Sequence, residues 1–160
     1  MKTIDELLSE VAKKLNVTQE SLKERVDTLT LSVAKEIAYA IEAGAEGLGL
    51  NVVISVYNDG ANPILLHAMD NSYIASTRIA QDKAYTAVSL KMPTHIALRE
   101  SRGGSLDGLT NGNGIMLLGG GYPLEAKGRI FGGVGVSGGT KEQDMLLAKL
   151  GADYFKTRMK

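Results

Sequence analysis

The sequence contains no cysteine. Without thiols the chain cannot form disulfides, thiolate metal sites, iron–sulfur clusters or a cysteine nucleophile. It also lacks an excess of either charge, with 18 Lys+Arg against 18 Asp+Glu, whereas nucleic-acid-binding chains usually show a basic excess or a basic stripe. No stretch approaches the roughly 20 apolar residues of a membrane-spanning helix. We therefore expect no nucleic-acid partner and no membrane partner.

The N-terminus does not have the pattern of a secretory signal. Asp5 and Glu6 precede any apolar run, whereas a signal begins with positive charge followed by an apolar core. We therefore expect a cytoplasmic protein. Its length of 160 residues corresponds to one domain with a short appendage.

Glycine is abundant and unevenly distributed. The chain has 19 glycines in 160 residues, about 12% against an average near 7%. Fourteen of them lie between Gly103 and Gly139. The unusual part of the molecule is therefore expected in this stretch.

Two helical patterns open the chain. Thr3 and Glu6 form a T-x-x-E capping box, followed by an apolar stripe of Ile4, Leu7, Leu8, Val11 and Leu15. This predicts an amphipathic helix over residues 1–16, set apart from a domain over residues 17–160. Thr18 then predicts the cap of a second, long helix that ends near Leu48, with a break or kink near Thr28–Thr30.

The remaining patterns alternate strands and helices. Strands are expected over residues 51–57, 64–69, 115–118, 122–125 and 129–136. Helices are expected from about 72 to 92, where Ile74, Ile79, Ala80, Ala84, Ala87 and Val88 face inward, over 95–100, and after Thr140, which Gln143 completes as a capping box. This order predicts an α+β fold with a largely antiparallel sheet.

A glycine motif near the C-terminus matches G-x-G-x-x-G at Gly133, Gly135 and Gly138. A dinucleotide site also requires a βαβ unit and an acidic residue about 20 positions further on, and no further strand follows. We therefore reject a dinucleotide site. Two alternatives remain: an anion site at residues 137–140 on a helix N-terminus, or close approach of strand and helix backbones, which we favour.

Chemistry-bearing side chains are few. His67 and His95 are the two histidines, too few for a zinc site of three or four ligands, although one axial imidazole suffices for haem. From the residues alone, we favour a hydrogen-bonded structural role over a ligand role for each of them. Asp82 and Lys83 form a candidate ion pair, and Ser137 does not match the G-x-S-x-G nucleophile motif. The residues alone therefore predict no catalytic constellation.

Several strings together resemble one family. They are Ile79-Ala-Gln-Asp-Lys-Ala-Tyr-Thr-Ala87, Gly119-Gly-Gly-Tyr-Pro-Leu124 and Gly132-Gly-Val-Gly-Val-Ser-Gly-Gly-Thr-Lys-Glu-Gln-Asp144. They are similar to the GlcG/HbpS-like family, which includes the C-terminal domain of PduO-type adenosyltransferases. The resemblance extends over about residues 30–155. Because only about 30 residues precede it, we expect no adenosyltransferase domain.

The resemblance implies a profilin-like fold with a five-stranded, mainly antiparallel sheet flanked by helices. It also implies a homo-oligomer, from tetramer to octamer, that binds haem or a corrinoid such as cobalamin. The function expected on this basis is a non-catalytic tetrapyrrole-binding accessory protein of a glycolate or diol-utilisation operon. The candidate cofactor-binding residues are His67, His95, Lys83, Gly119, Gly120 and Gly121.

Two other functions remain open. The helix over residues 3–15 resembles peptides that target cargo to bacterial microcompartments, so it is a candidate docking element for a shell or enzyme partner. Packing of its apolar stripe on the same subunit or on an oligomer partner is the simpler interpretation, and we favour it. A third hypothesis is a small-molecule enzyme with a site around Lys83, residues 119–121 and Asp144.

Overall fold

The structure, a computed structural model, describes residues 2–159. The helices are α1 (Ile4–Leu15), α2 (Leu31–Gly47), α3 (Ile74–Leu90), α4 (Thr94–Glu100) and α5 (Lys141–Arg158). The strands are β1 (Val53–Asn58), β2 (Pro63–Ala68), β3 (Gly121–Ala126) and β4 (Arg129–Ser137), and a single 3-10 turn covers Ser21–Lys23. The expected α+β class is confirmed.

The sheet is antiparallel, with strand order β2-β1-β4-β3. It has four strands in the part of the chain described, so the expectation of a fifth strand over residues 115–118 is wrong. Side chains bind the backbone there instead: Met116 N–H donates to Thr86 Oγ1 (2.8 Å) and Leu117 N–H to Asn111 Oδ1 (2.7 Å). Because these donors already have partners, the segment needs no neighbouring strand. The profilin-like arrangement stays a prediction.

The two faces of the sheet pack against different helices. Val134 and Val136 belong to the main core, together with side chains of α1, α2 and α5. Gly133 and Gly135 alternate with these valines and face α3, where an added Cβ at Gly133 would lie 2.5 Å from Ala84 O. The glycine motif therefore brings strand and helix backbones into close contact, as the favoured sequence interpretation predicts.

The second helix starts later than the sequence predicts. α2 begins at Leu31, and its N-cap is Thr30, whose Oγ1 accepts a hydrogen bond from Val33 N–H at 3.2 Å. Thr18 instead holds the 3-10 turn through a 3.2 Å bond from Ser21 N–H. A threonine hydroxyl binds nearby backbone more readily than it continues a helix, so the chain is irregular before Thr30.

This irregular segment is fixed to the end of α5. Val26 N–H donates to Arg158 O at 2.7 Å, and Arg158 Nη1 donates to Glu24 O. The Arg158 guanidinium also bonds to the buried carboxylate of Glu36 on α2, with Nε 2.6 Å from Oε2, and Tyr154 O–H donates to the same oxygen at 3.1 Å. A buried charge network therefore joins α2, α5 and the connecting segment.

The first helix packs on its own chain. Leu7 and Val11 are fully buried in the main core, and α1 contacts α2. The capping box of Thr3 and Glu6 is present as expected. The favoured interpretation of the apolar stripe is therefore confirmed for these residues, while the division into parts 1–16 and 17–160 stays a prediction.

The predicted burial of one residue of α3 is wrong. Ile74 is 95% exposed, although the periodicity placed it inside. It is the first residue of the helix, and Ser76 faces the sheet in its place, with its hydroxyl 3.0 Å from that of Ser137. Ala80, Ala84, Ala87 and Val88 are buried as expected.

Candidate functional site

His67 lies where β2 meets α2. Its Nδ1 is 2.7 Å from Glu42 Oε1, so the Nδ1–H tautomer donates to this carboxylate. The centroid of the Tyr39 ring lies 5.4 Å from that of the imidazole. The His67 side chain is 27% exposed and that of Glu42 is 13% exposed. With Nδ1–H engaged, the lone pair of Nε2 is the part of the ring that can coordinate a metal.

His95 lies on the short helix α4 in a different environment. Its Nδ1 is buried and has no hydrogen-bond partner within residues 2–159. Its ring centroid is 5.7 Å from that of Tyr122. Burial lowers the pKa of His95, and the positive charges of Arg99 and Lys141 lower it further. Both effects favour the neutral form of the imidazole, and no carboxylate within residues 2–159 forms a hydrogen bond or ion pair with it.

The structure does not bring the two histidines together. His67 is on β2, at one edge of the sheet, whereas His95 is on α4, which contacts β3 at the other edge. Two strands separate these edges, and neighbouring strands are spaced by about 4.8 Å. A single ligand site in one chain therefore takes one histidine or the other.

Lys83 is fully buried and pairs with Asp144. Its Nζ donates to Asp144 Oδ2 and to Val136 O, both at 2.8 Å. Asp144 Oδ1 accepts from Gly139 N–H at 2.8 Å. The predicted ion pair between Asp82 and Lys83 is wrong, because successive residues on a helix point in different directions. Asp82 pairs with Arg78 instead, with Arg78 Nε 3.1 Å from Asp82 Oδ1.

Burial shifts both members of this pair towards neutrality. Loss of solvation lowers the pKa of Lys83, and the Asp144 charge only partly opposes it. Loss of solvation likewise raises the pKa of Asp144, against the opposing effect of Lys83. Because both groups are almost inaccessible, the arrangement suits the joining of α3, β4 and α5 better than contact with a substrate.

Of the three glycines at 119–121, Gly120 packs directly against the side chains of this pair, whereas Gly119 faces Met145 and Lys141. An added Cβ at Gly120 would lie 2.8 Å from Lys83 Nζ, and one at Gly121 would lie 2.5 Å from Lys83 O. Gly120 also has a φ of +118°, which side chains rarely tolerate. Thus Lys83, Asp144 and the glycines do lie together, as the third hypothesis expected, but in a packed interior. A ligand-binding role for them stays a prediction.

Side chains of the same chain already bond to the backbone N–H groups at the N-terminus of α5. Gly139 N–H donates to Asp144 and Thr140 N–H donates to Gln143 Oε1 at 2.9 Å. Gln143 N–H in turn donates to Thr140 Oγ1 at 3.2 Å. The capping box is confirmed, and side chains of α5 take the positions that an anion would occupy.

Sequence reasoning missed Glu42 and Tyr39, which complete the surroundings of His67. Both lie on α2 three positions apart, a spacing that places them on one helix face. Glu42 is one of three glutamates on α2, so its residue type alone gives no signal, and only the tertiary structure shows which of them contacts a histidine.

The described part of the chain contains no metal-binding cluster and no membrane-spanning helix, and its main apolar cavity lies away from both histidines. No group of three or more His, Cys, Asp or Glu within residues 2–159 is arranged to hold a metal ion. No helix among these residues is both long and apolar enough to cross a bilayer. A cavity of about 390 Å³ lies between α1, α2 and α5, lined mainly by leucine and glycine and by neither histidine.

The fold and the site define a small α+β domain with a glycine-packed sheet and a carboxylate-oriented histidine. Residues 29–153 match the family described as "Haem degrading protein HbpS-like". The chain therefore belongs to the HbpS-like family.

Individual relatives cover most of the chain. It is 44% identical over 135 residues to an uncharacterized 15.0 kDa protein from the dhaT–dhaS intergenic region of Citrobacter freundii, covering 82% of this chain and 95% of that one. It is 32% identical over 130 residues to the corrinoid adenosyltransferase PduO of the same organism, over 79% of this chain but only 39% of PduO. The crystal structure of a PduOC–haem complex superposes with a TM-score of 0.74 at 30% identity, over 79% of this chain and 94% of that one.

Proposed function

We propose that the chain is a cytoplasmic, non-catalytic haem-binding accessory protein in which His67 is the axial ligand. The observation that carries the proposal is the 2.7 Å contact between His67 Nδ1 and Glu42 Oε1. Metal-ligating histidines almost always donate their other ring N–H to a carboxylate, a carbonyl or water. His67 has this partner, and its ring is partly open to solvent.

Glu42 and Tyr39 orient the imidazole. By accepting a hydrogen bond from Nδ1–H, Glu42 fixes the tautomer and makes Nε2 a stronger donor to a metal. Tyr39 packs at 5.4 Å from the ring and restricts its rotation. When bound, haem supplies an iron centre whose redox and ligand chemistry depends on its axial ligand and on hydrogen bonds to that ligand.

His95 is the weaker candidate. A neutral imidazole suits coordination, but Nδ1 of His95 is buried and has no partner in the described chain to set the tautomer. The relatives support haem as the ligand, since one solved relative is a haem complex and the family is described as haem degrading. The match to a corrinoid adenosyltransferase keeps a corrinoid as the alternative tetrapyrrole.

The test is a haemin titration followed by the Soret band, with the wild-type chain, His67→Ala and His95→Ala. We expect saturable binding with a sharpened band for the wild type and for His95→Ala, and its loss in His67→Ala. Equal titrations of the wild type and His67→Ala would exclude His67 as the ligand. Cobalamin in place of haemin tests the corrinoid alternative.

Glu42→Gln separates a positioning role from mere packing. The variant keeps the shape of residue 42 but removes the charge that polarises His67. We therefore expect haem to bind while the reduction potential of the iron rises, because a less basic imidazole stabilises the ferric state less. An unchanged potential would show that Glu42 does not act through the ligand.

The biological setting is proposed from the relatives. One relative lies between dhaT and dhaS, and others are PduO proteins. The position of the first relative between two genes supports a role beside an operon, which we propose to be a catabolic operon for glycolate or diols. Docking to a microcompartment through residues 3–15 remains the alternative, although the apolar stripe of α1 is already packed on α2. Docking would have to use the outer face of α1 or release the helix.

A further inference from the structure

Strand β2 forms an open edge of the sheet, whereas the opposite edge is protected. β3 contains Pro123 and Glu125, and Thr94 Oγ1 accepts from Gly121 N–H at 2.9 Å while donating to Leu118 O at 2.6 Å. β2 reads Pro-Ile-Leu-Leu-His-Ala; its one proline is the first residue of the strand, and the strand has no lysine, arginine or carboxylate. Natural proteins usually protect edge strands with charge, proline or a covering element.

The backbone groups on this edge can be assigned from the ladder. Met69 N–H donates to Val52 O at 3.0 Å, and Val53 pairs with Ala68 and Ser55 with Leu66. Because antiparallel pairs alternate between bonded and non-bonded, the N–H and C=O of Leu66 and Ala68 point away from β1. Within residues 2–159 no hydrogen bond involves these four groups.

The side chains also leave the edge accessible. Pro63, Leu66 and Ala68 are exposed, with Leu66 at 43%. An apolar, uncharged strand with free donors and acceptors is a template for another strand rather than for a helix or an ion. The occupant must therefore be extended polypeptide.

We propose that the β2 edge pairs antiparallel with the β2 edge of a second copy of this chain. Leu66 and Ala68 each offer one N–H donor and one C=O acceptor. In a two-fold symmetric pair these groups bond to the same groups on β2 of the other copy, so every donor and acceptor has a partner. The strand carries no formal charge, and the whole chain has 18 basic and 18 acidic residues, so no net repulsion opposes the approach. The pairing joins two four-stranded sheets into one.

Ala68→Pro tests the pairing with little change of side chain. Proline at 68 removes an N–H that points outward, so it leaves the bonds between β1 and β2 intact. Ala68→Ser is the matched control, because it keeps the N–H. By light scattering after size exclusion, we expect the mass of the Ala68→Pro assembly to be half that of the wild type or less, and that of Ala68→Ser to be unchanged. A folded Ala68→Pro variant with wild-type mass, or a wild-type chain that is monomeric throughout, would overturn the proposal.

Amide hydrogen exchange on the wild-type chain tests the same point without substitution. In the paired state the amides of Leu66 and Ala68 exchange as slowly as those of Leu65 and His67, which bond to β1. Dilution to the monomer should accelerate only the first two. Fast exchange at Leu66 and Ala68 in an intact oligomer would place the interface elsewhere, and this result decides the matter even if Ala68→Pro fails to fold.

Discussion

At the scale of single residues, the buried pair of Lys83 and Asp144 has the clearest energetic consequence. The Lys83 side chain is 0% exposed and that of Asp144 is 5% exposed. Removing one member of a buried pair leaves an uncompensated charge, whereas replacing both with apolar residues is often far less harmful. The pair therefore contributes more to the position of α3 and α5 than to net stability.

We expect Lys83→Met to lower the free energy of unfolding by about 3–5 kcal/mol. The double variant Lys83→Met, Asp144→Leu should recover part of this loss, because no isolated charge remains. Urea denaturation of both variants measures the difference. Arg78→Ala is the control: it removes an exposed i,i+4 pair with Asp82, worth only about 0.3–0.5 kcal/mol. Equal losses for Lys83→Met and Arg78→Ala would contradict the interpretation.

The cost of Lys83→Met should also depend on pH. Burial raises the pKa of Asp144 above its usual value of 3.8, and loss of Lys83 removes the main opposing effect. Between 3.8 and the raised value, the folded chain holds a proton that the unfolded chain has lost. Stability therefore falls as pH rises through this interval, by up to about 1.4 kcal/mol per pH unit. Unfolding of Lys83→Met at pH 4 and pH 7 should show the larger deficit at pH 7, and Lys83→Met, Asp144→Asn should lose that dependence.

At the scale of elements, the contact between α3 and β4 depends on glycine. A Cβ on Gly135 would collide with Ala80 O and would lie 2.6 Å from Ala84 N, both in the backbone of α3. Because these atoms belong to a buried helix, neither can move without shifting the helix from the sheet. The glycine-rich string that identifies the family is therefore also a packing requirement of this fold.

Gly135→Ala should destabilise the chain by about 3 kcal/mol or more, since overpacking a rigid site commonly costs about 1–3 kcal/mol and more where backbone must move. Gly47→Ala is the matched control, because nothing lies within 4 Å of its added Cβ and it lies in α2. That variant should be more stable by about 0.5–1 kcal/mol. Thermal unfolding of both distinguishes packing from a general effect of glycine; a neutral Gly135→Ala would refute the close contact.

Helix α1 behaves as part of the core rather than as a free docking peptide. Leu7 is 0% exposed, whereas Ile4 on the same helix is 37% exposed. We expect Leu7→Ala to cost about 2–5 kcal/mol and Ile4→Ala much less, as judged by urea unfolding. Deletion of residues 1–16 should expose apolar surface of α2 and increase dye binding. A fully stable deletion variant would favour a detachable helix.

At the scale of the whole molecule, the sequence predicts local structure better than tertiary contacts. Capping boxes at Thr3 and Thr140 were predicted correctly because they are short-range patterns. The expected strand over 115–118 fails because its donors are satisfied by Thr86 and Asn111, which no periodicity reveals. The start of α2 was wrong because hydroxyl residues offer competing local bonds.

The candidate site shows the same limit. His67 was identified from its residue type, and the grouping of Lys83, Asp144 and the glycines was expected. Glu42 was missed because 25 positions separate it from His67. A side chain acquires its chemistry from neighbours that only the fold supplies, so the sequence identifies candidates while the structure ranks them.

Haemin binding should raise the free energy of unfolding of the entire chain. A ligand that binds only the folded state adds about 2.7 kcal/mol at 100 times its dissociation constant. For a domain of this size we expect haemin to raise the melting temperature of the wild type and of His95→Ala by several degrees, roughly 2–4 °C for each kcal/mol. His67→Ala should show no shift, because the chain loses its oriented donor. An equal shift in all three proteins would mean that haemin adsorbs without using either histidine, and a shift lost only in His95→Ala would move the site to α4 and the other edge of the sheet.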